Sequence, residues 1–368
     1  MERSKTIPVI DLAGSSYEIG RRHGELLKDQ IKEFFATAYE VHAANMPVKA
    51  GKDTLNNFCR RNVGFLDKYS PELMEELRGI ADGCGLTVED IIFLNSFLEM
   101  EDLRPPGLGG RLIGDKLWGC TTFNVMPEAA GDNKSYIGQT FDMEKYYSKF
   151  NVILRIKPES GLEVLTYTFA GVLGLNGMNS KGVGVVINKV VANDAREGVI
   201  YPFIIRKALM QERIGDSLGS IIFSPRASGV VYQLANEDGV VFCAETSAAY
   251  YELLPVEGVI GHTNHYVAPS MRKFETPNWL SHGGSFVRYQ MVNRKLKEAK
   301  GRIDPEYLME LTRDHTNYPR CICAHGFEGE DEYSAFHTVA AVIMDLREKS
   351  MWVCHENPCL NNYVNVSL

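Results

Sequence analysis

Trp118-Gly119-Cys120-Thr121-Thr122 is a stretch of this 368-residue chain whose side chain can react with its own main chain. A thiol opening a strand can attack the carbonyl of the residue before it. Glycine at that preceding place removes the side chain that would oppose distortion of the peptide. Hydrolysis of the resulting thioester would leave Cys120 with a free α-amino group. Such an amine has a reference pKa of about 7.7–8.0, so near neutral pH it can accept the thiol proton. Nucleophile and base then reside in one residue, the N-terminal-amine route to an activated thiol. On spacing alone, Gly119-Cys120 reads as an ordinary strand cysteine.

Other chemistry-bearing signals are thinner. The G-x-x-x-x-G-K-[ST] phosphate loop and the H-E-x-x-H zinc helix are absent, and the G-x-S-x-G elbow of serine hydrolases is read as missing too. The glycine-rich Asn176-Gly177-Met178-Asn179-Ser180-Lys181-Gly182 precedes a strand run instead of following one, so it reads as a β-turn. Eight cysteines in so long a chain do not form a disulfide framework. Cys321-x-Cys323-x-His325 and Cys354-His355 with Cys359 invite a zinc reading. Structural zinc sites usually separate paired cysteines by two or more residues, and neither cluster does. The expectation is buried free thiols on strands, with no metal and no cofactor.

The elements that must position Cys120 change character along the chain. Residues 15–104 carry helical signals: a capping box at Ser15 and Glu18, Ser70-Pro71-Glu72, and Thr87 with Asp90. Pro105-Pro106-Gly107-Leu108-Gly109-Gly110 cannot continue a helix and reads as a loop. Beyond it lie short β-rich runs at 120–125, 136–140, 152–156, 162–168, 183–188, 230–234, 240–245, 250–254 and 259–264. Helical patterns return at 203–211, 286–299 and 305–313, and a hairpin closes the chain at 338–345 and 351–354. Strands in succession followed by helices favour stacked sheets flanked by helices, an α+β arrangement, over a doubly wound parallel sheet. No repeat and no low-complexity tract divides the chain, so one compact unit is expected.

Gly119-Cys120-Thr121-Thr122 resembles the processing site of the isopenicillin-N acyltransferase family, a branch of the N-terminal-nucleophile hydrolases. Further resemblances follow in order. Gly20-x-x-x-Gly24 is similar to the family's opening motif, and Glu76-Leu77-Arg78-Gly79-Ile80-Ala81-Asp82-Gly83 to its second helical motif. Gly138-Gln139-Thr140-Phe141-Asp142 resembles its strand ending in aspartate, and Gly177-Met178-Asn179-Ser180-Lys181-Gly182 the turn before the next strand. His262-Thr263-Asn264-His265 and Tyr318-Pro319-Arg320-Cys321-Ile322-Cys323 resemble two later motifs. The family often has serine where this chain has Cys321. The resemblance implies a four-layer αββα sandwich and self-cleavage between Gly119 and Cys120. A helical pro-segment, 1–119, would then stay associated with the 120–368 subunit as a heterodimer.

It also implies roles. Cys120 is the nucleophile with its own amine as base, and Asp142 orients that amine or the thiol. Asn264 donates to the developing oxyanion, a contribution of about 3–4 kcal/mol to the barrier. Asn188 is a second candidate for that hole, and Thr121 is a supporting position. Arg320 is the arginine that would lower the thiol pKa, with Arg288 as a competing assignment. Each has a plainer reading: Asp142 as a turn aspartate, Asn264 as a loop asparagine, either arginine in a surface ion pair. His262 and His265 admit a Cys–His dyad of the protease kind.

Composition bounds the partners. A formal charge of -8, with no run of lysine and arginine, argues against nucleic acid and anionic membranes. The apolar stretch at 7–12 is too short for a signal peptide, and nothing approaches the roughly 18–20 apolar residues of a membrane span. The expectation is a soluble, cytoplasmic amidohydrolase or acyltransferase acting on a small amide or acyl donor, with homo-oligomerisation left open. Its alternatives are an uncut binding scaffold and a Cys/His peptidase.

Overall fold

Capping chemistry opens the helices where the sequence places it. The structure, a computed structural model, describes residues 6–44, 52–102, 119–276, 279–331 and 335–368. Ser15 accepts from the Glu18 N–H while Glu18 reaches back to the Ser15 main chain, starting α1 (Ser16–Leu26). Thr87 and Asp90 make the same reciprocal pair ahead of α5 (Val88–Asn95). Between them run α2 (Lys28–Ala44), α3 (Lys52–Tyr69) and α4 (Pro71–Cys84), and α6 (Phe97–Asp102) follows. Ser70 precedes α4 as expected, yet its hydroxyl donates to the Glu72 carboxylate at 2.9 Å and caps no main-chain N–H. The proline–glycine loop at 105–110 lies outside the described residues.

Two motifs read from the sequence turn out to be packing devices. A Cβ on Gly20 or Gly24 would fall onto the Glu76 or Ile80 carbonyl oxygen of α4. A Cβ on Gly79 or Gly83 would meet the Tyr17 or Arg21 carbonyl oxygen of α1. Four glycines at i, i+4 spacing on facing helices thus bring two backbones into contact, a separation that no side chain allows.

Strands build two sheets. The larger runs in the order β1 (Val9–Gly14), β4 (Asn151–Pro158), β5 (Val164–Phe169), β6 (Asn176–Asn179), β7 (Gly184–Lys189), β8 (Val230–Ala235), β9 (Val241–Thr246), β10 (Tyr251–Leu254). Within it only β1 is parallel to its neighbour. The smaller, antiparallel throughout, runs β11 (Val259–His262), β2 (Gly119–Val125), β3 (Tyr136–Glu144), β12 (Phe336–Asp345), β13 (Ser350–His355), β14 (Tyr363–Ser367). The sheets face each other through β2 and β3 against β7 and β8. Helices α7 (Tyr201–Leu209) and α8 (Ile214–Ile222) cover the larger sheet, and α9 (Trp279–Glu298) and α10 (Pro305–Leu311) the smaller. This is the α+β, four-layer helix–sheet–sheet–helix arrangement expected.

The N-terminal part is not wholly helical, because β1 joins the larger sheet beside β4, with Val9 opposite Ile153. Glycine-containing α8, β6 and the terminal β14 were also not foreseen. β1 and β14 are short runs whose pairing partners lie elsewhere in the fold, so local pattern carries little of their signal. No described helix is long and apolar enough to cross a membrane.

Candidate active site

β2 enters the sheet interior with all seven residues buried, so Cys120 sits at the mouth of a strand fixed on both sides. Its N–H donates to Asn264 Oδ1 at 2.9 Å. Its carbonyl accepts from Arg288 Nη1 at 2.7 Å and from Asn188 Nδ2 at 2.9 Å. Arg288 also reaches Thr121 Oγ1 at 3.1 Å and Asn264 Oδ1 at 2.8 Å. Two donors converge on Asn264 Oδ1, while Asn264 Nδ2 gives a hydrogen to the Lys189 carbonyl at 3.0 Å. That pattern fixes which end of the amide faces Cys120.

Asp142 lies opposite Gly119 across the β2–β3 pair. A Cβ on Gly119 would come within 2.8 Å of Asp142 Oδ2 and 3.1 Å of the Phe336 ring, so glycine here makes room for a carboxylate. Asp142 Oδ1 accepts from Thr338 Oγ1 at 2.7 Å, and Oδ2 has no hydrogen-bond partner among the described residues. The β3–β12 register slips between Thr338 and Ala340, a bulge beside Asp142. Burial pushes the Asp142 carboxyl up to about 7, with Arg288, the Thr338 hydroxyl and Arg320 pulling the other way. Burial, reinforced by Asp142, also pushes the Cys120 thiol up to about 12, against the Gln139 amide and Arg288. The thiol is therefore neutral at pH 7, beside a carboxyl that titrates there.

Each expected residue thus has a place. Cys120, Thr121, Asn188, Asn264 and Arg288 form one hydrogen-bonded group, with Asp142 across the strand pair. Arg288, the competing assignment, touches the Cys120 main chain. Arg320 stands further out, its guanidinium stacked on the Phe327 and Phe336 rings at 4.4 and 4.7 Å. Its Nε and Nη1 are buried without a partner among the described residues. Asn188 gives one amide hydrogen to the Cys120 carbonyl and accepts from Thr122 Oγ1 at 2.5 Å, two contacts that hold β2. The histidines face elsewhere: His262 lies between the Thr263 carbonyl and Glu245, each at 2.8 Å, and His265 Nδ1 meets Ser285 Oγ at 2.8 Å.

Sequence reasoning missed several neighbours. Gln139 and Thr338 had no assigned role, although Gln139 sits inside a motif. Lys189 sends its amine to Asp102 and Ser228 while its carbonyl holds Asn264, so it ties the end of α6 to this group. The G-x-S-x-G spacing of a serine-hydrolase elbow, read as missing from the sequence, is in fact present at Gly215-Asp216-Ser217-Leu218-Gly219. Ser217 is buried inside α8 and donates to the Ala208 carbonyl at 2.8 Å, with no strand-to-helix turn to expose it. Of the two cysteine clusters expected on strands, only Cys354 lies on one, and Cys321, Cys323 and Cys359 are in loops. In those loops His315, Cys323, His325 and Cys359 come together, with Cys321 and Cys354 outside the group. A cavity of about 700 Å³ is lined by Lys145, Tyr146, Lys149, Asp331 and Glu356 among others, and by none of the Cys120 group.

Comparison with known proteins places the chain in a family. The chain is 25% identical over 337 residues to the acyl-coenzyme A:6-aminopenicillanic-acid-acyltransferase 40 kDa form of Emericella nidulans, spanning 89% of this chain and 87% of that one. It is 24% identical over 226 residues to the beta-alanyl-dopamine/carcinine hydrolase of Drosophila melanogaster, spanning 57% of this chain and 55% of that one. Among solved structures, the Caenorhabditis elegans ortholog of N-acylethanolamine-hydrolyzing acid amidase superposes with a TM-score of 0.41 at 17% identity. That superposition spans 62% of this chain and 93% of the other. Residues 129–359, most of the chain, match the family model of the acyl-coenzyme A:6-aminopenicillanic acid acyl-transferases, and the chain belongs to that family.

Proposed function

We propose that this chain is a self-processing amidohydrolase or acyltransferase whose nucleophile is Cys120. The observation that carries the reading is the Cys120 N–H held 2.9 Å from Asn264 Oδ1, directly after a glycine that lies beneath the Asp142 carboxylate. Asp142 Oδ2 takes the Cys120 thiol proton, and the thiolate adds to the Gly119 carbonyl carbon. The Gly119–Cys120 C–N bond breaks as the departing nitrogen is protonated, leaving a thioester. Water then hydrolyses the thioester to the Gly119 carboxylate and a free thiol. A carboxyl with its pKa near 7 suits the first proton transfer, because a good base titrates close to the working pH.

After the cut, the Cys120 amine still donates a hydrogen to Asn264 Oδ1, which leaves its lone pair for the thiol proton. Arg288 braces both partners through the Cys120 carbonyl and Asn264 Oδ1. The second hydrogen of Asn264 Nδ2 is the donor for the substrate oxyanion. Acyl-enzyme forms on Cys120 Sγ from a small N-acyl amide and passes to water or an amine. The relatives' names, an acyl-coenzyme A:6-aminopenicillanic-acid-acyltransferase and a beta-alanyl-dopamine/carcinine hydrolase, support that substrate class. Fragments 1–119 and 120–368 remain together, since β1, α1 and α4 are built into the sandwich. Eight cysteines with no disulfide among them suit a reducing cytoplasm.

Intact-mass measurement tests this directly. Two fragments, the second beginning Cys-Thr-Thr, should appear for the wild type, and one whole chain for Cys120→Ala. Activity should be followed on N-acyl amines of graded chain length, with and without an amine acceptor. An active chain that stays whole, or turnover by Cys120→Ala, rejects the mechanism; a whole and inactive chain is the result expected of a scaffold.

A further inference from the structure

Leu311 ends α10 and Phe336 begins β12, and the described residues between them form no helix or strand that would hold the stretch. Four side chains from this stretch and from the β13–β14 turn converge. His325 Nε2 lies 3.1 Å from His315 Nε2, 3.7 Å from Cys323 Sγ and 3.5 Å from Cys359 Sγ. The two sulfurs are 3.5 Å apart. One imidazole nitrogen has a single hydrogen-bonding position, so it cannot satisfy three partners at once. The four atoms instead surround a common point.

We infer that this point is a structural zinc site, ligated by His315 Nε2, Cys323 Sγ, His325 Nε2 and Cys359 Sγ. Zinc bonds of about 2.3 Å to sulfur and about 2.0–2.1 Å to nitrogen place tetrahedral ligand atoms about 3.8 Å apart for S···S, about 3.6 Å for S···N and about 3.4 Å for N···N. The S···N separations of 3.7 and 3.5 Å bracket their value, the S···S and N···N separations of 3.5 and 3.1 Å fall about 0.3 Å short of theirs, and all four ligand atoms lie within 4.8 Å of one another. A tetrahedral N₂S₂ set selects zinc among the common divalent ions. On binding, both thiols release their protons to solvent, and two thiolates balance the dication. Asn357 Nδ2 donates to Cys323 Sγ at 3.5 Å, a hydrogen bond that steadies a thiolate. A Cys323–Cys359 disulfide explains the sulfur contact but not the two imidazoles directed at the same place.

The site fastens a loop that matters elsewhere. Arg320 lies between ligands His315 and Cys323. Ala324, between Cys323 and His325, donates its N–H to Thr338 Oγ1 at 2.9 Å, and that hydroxyl donates to Asp142. The inference needs none of the roles assigned to Cys120.

Chain purified without a histidine tag and loaded with zinc should retain one equivalent after exhaustive dialysis, read by mass spectrometry of the metal. Cobalt in its place should give the intense visible bands and the sulfur-to-metal charge transfer of a tetrahedral N₂S₂ centre. Cys359→Ser and His315→Ala should lose the metal, whereas Cys354→Ser, a thiol outside the group, should keep it. Wild-type chain that retains no zinc, or whose native mass is short by two hydrogens through a Cys323–Cys359 disulfide, overturns the assignment. So does metal retained undiminished by both ligand variants.

Discussion

The α1–α4 contact and the Cys120 group both carry motifs that resemble the family's, yet they are built on opposite physics. At α1–α4 specificity is steric: Gly20, Gly24, Gly79 and Gly83 are there because nothing larger fits between two backbones. Around Cys120 it is polar: Asn264, Arg288, Asn188 and Thr338 each aim a donor or acceptor at β2 or at Asp142. Only Gly119 belongs to both kinds, since its missing side chain makes room for a charge. Motif likeness therefore marks where the fold tolerates least, and geometry is needed to separate architecture from chemistry.

Substitutions separate the two regions further. The largest effect should come from Gly20→Val, which drives a branched side chain into the Glu76 carbonyl and destabilises by more than about 3 kcal/mol. Loss of soluble chain and of a cooperative melt is the expected readout, and a normal melting curve refutes the steric account. Cys120→Ala should do the reverse, keeping a cooperative melt while cleavage and turnover vanish. Asp142→Asn should slow cleavage by about 10²–10⁴-fold in a pulse-chase assay. In the wild type the rate should rise with pH and level off above about 7, as the Asp142 carboxyl loses its proton. That inflexion should be missing from the variant.

The same shift has a stability consequence. A carboxyl raised from 3.8 to about 7 in the fold favours its neutral form, so its contribution is complete below pH 3.8 and is lost as pH rises through about 7. Buried Glu99, also raised to about 7, acts in the same direction. Asn264→Ala should lower kcat by about 10²–10³-fold with cleaved chain in hand. The smallest effect should be that of Arg320→Ala, less than about tenfold on kcat/KM, because Arg288 and not Arg320 contacts the Cys120 main chain. A larger loss for Arg320→Ala than for Arg288→Ala reverses the assignment.

Much of the layering was legible. Period and punctuation placed most strands of both sheets and the capped helices, since those signals are local. β1 was not, because its partner β4 lies far along the chain and Val9–Gly14 shows no alternation. Cys120, Asp142 and Asn264 could be named from resemblance, but no spacing reveals that Asp142 sits against Gly119. That contact comes from the β2–β3 register together with the Thr338 bulge. The two arginines remained undecided in sequence because each lies on an element distant from β2. Cys323 and Cys359 looked unpromising as ligands for the same reason: their spacing was judged along the chain, while the loop and turn bring them together in space.

Arg206 meets Glu76 through both guanidinium arms, at 2.9 and 3.0 Å, with both side chains almost wholly buried. Glu76 precedes Gly119 and Arg206 follows it, so a cut there leaves the two charges on separate polypeptides. Parting the pieces would break this bidentate ion pair along with the packing that buries it. Were the chain cut there, the halves would stay clasped like a ratchet past its tooth, but after denaturation they would have to find each other by diffusion, so renaturation of cut protein should grow poorer on dilution.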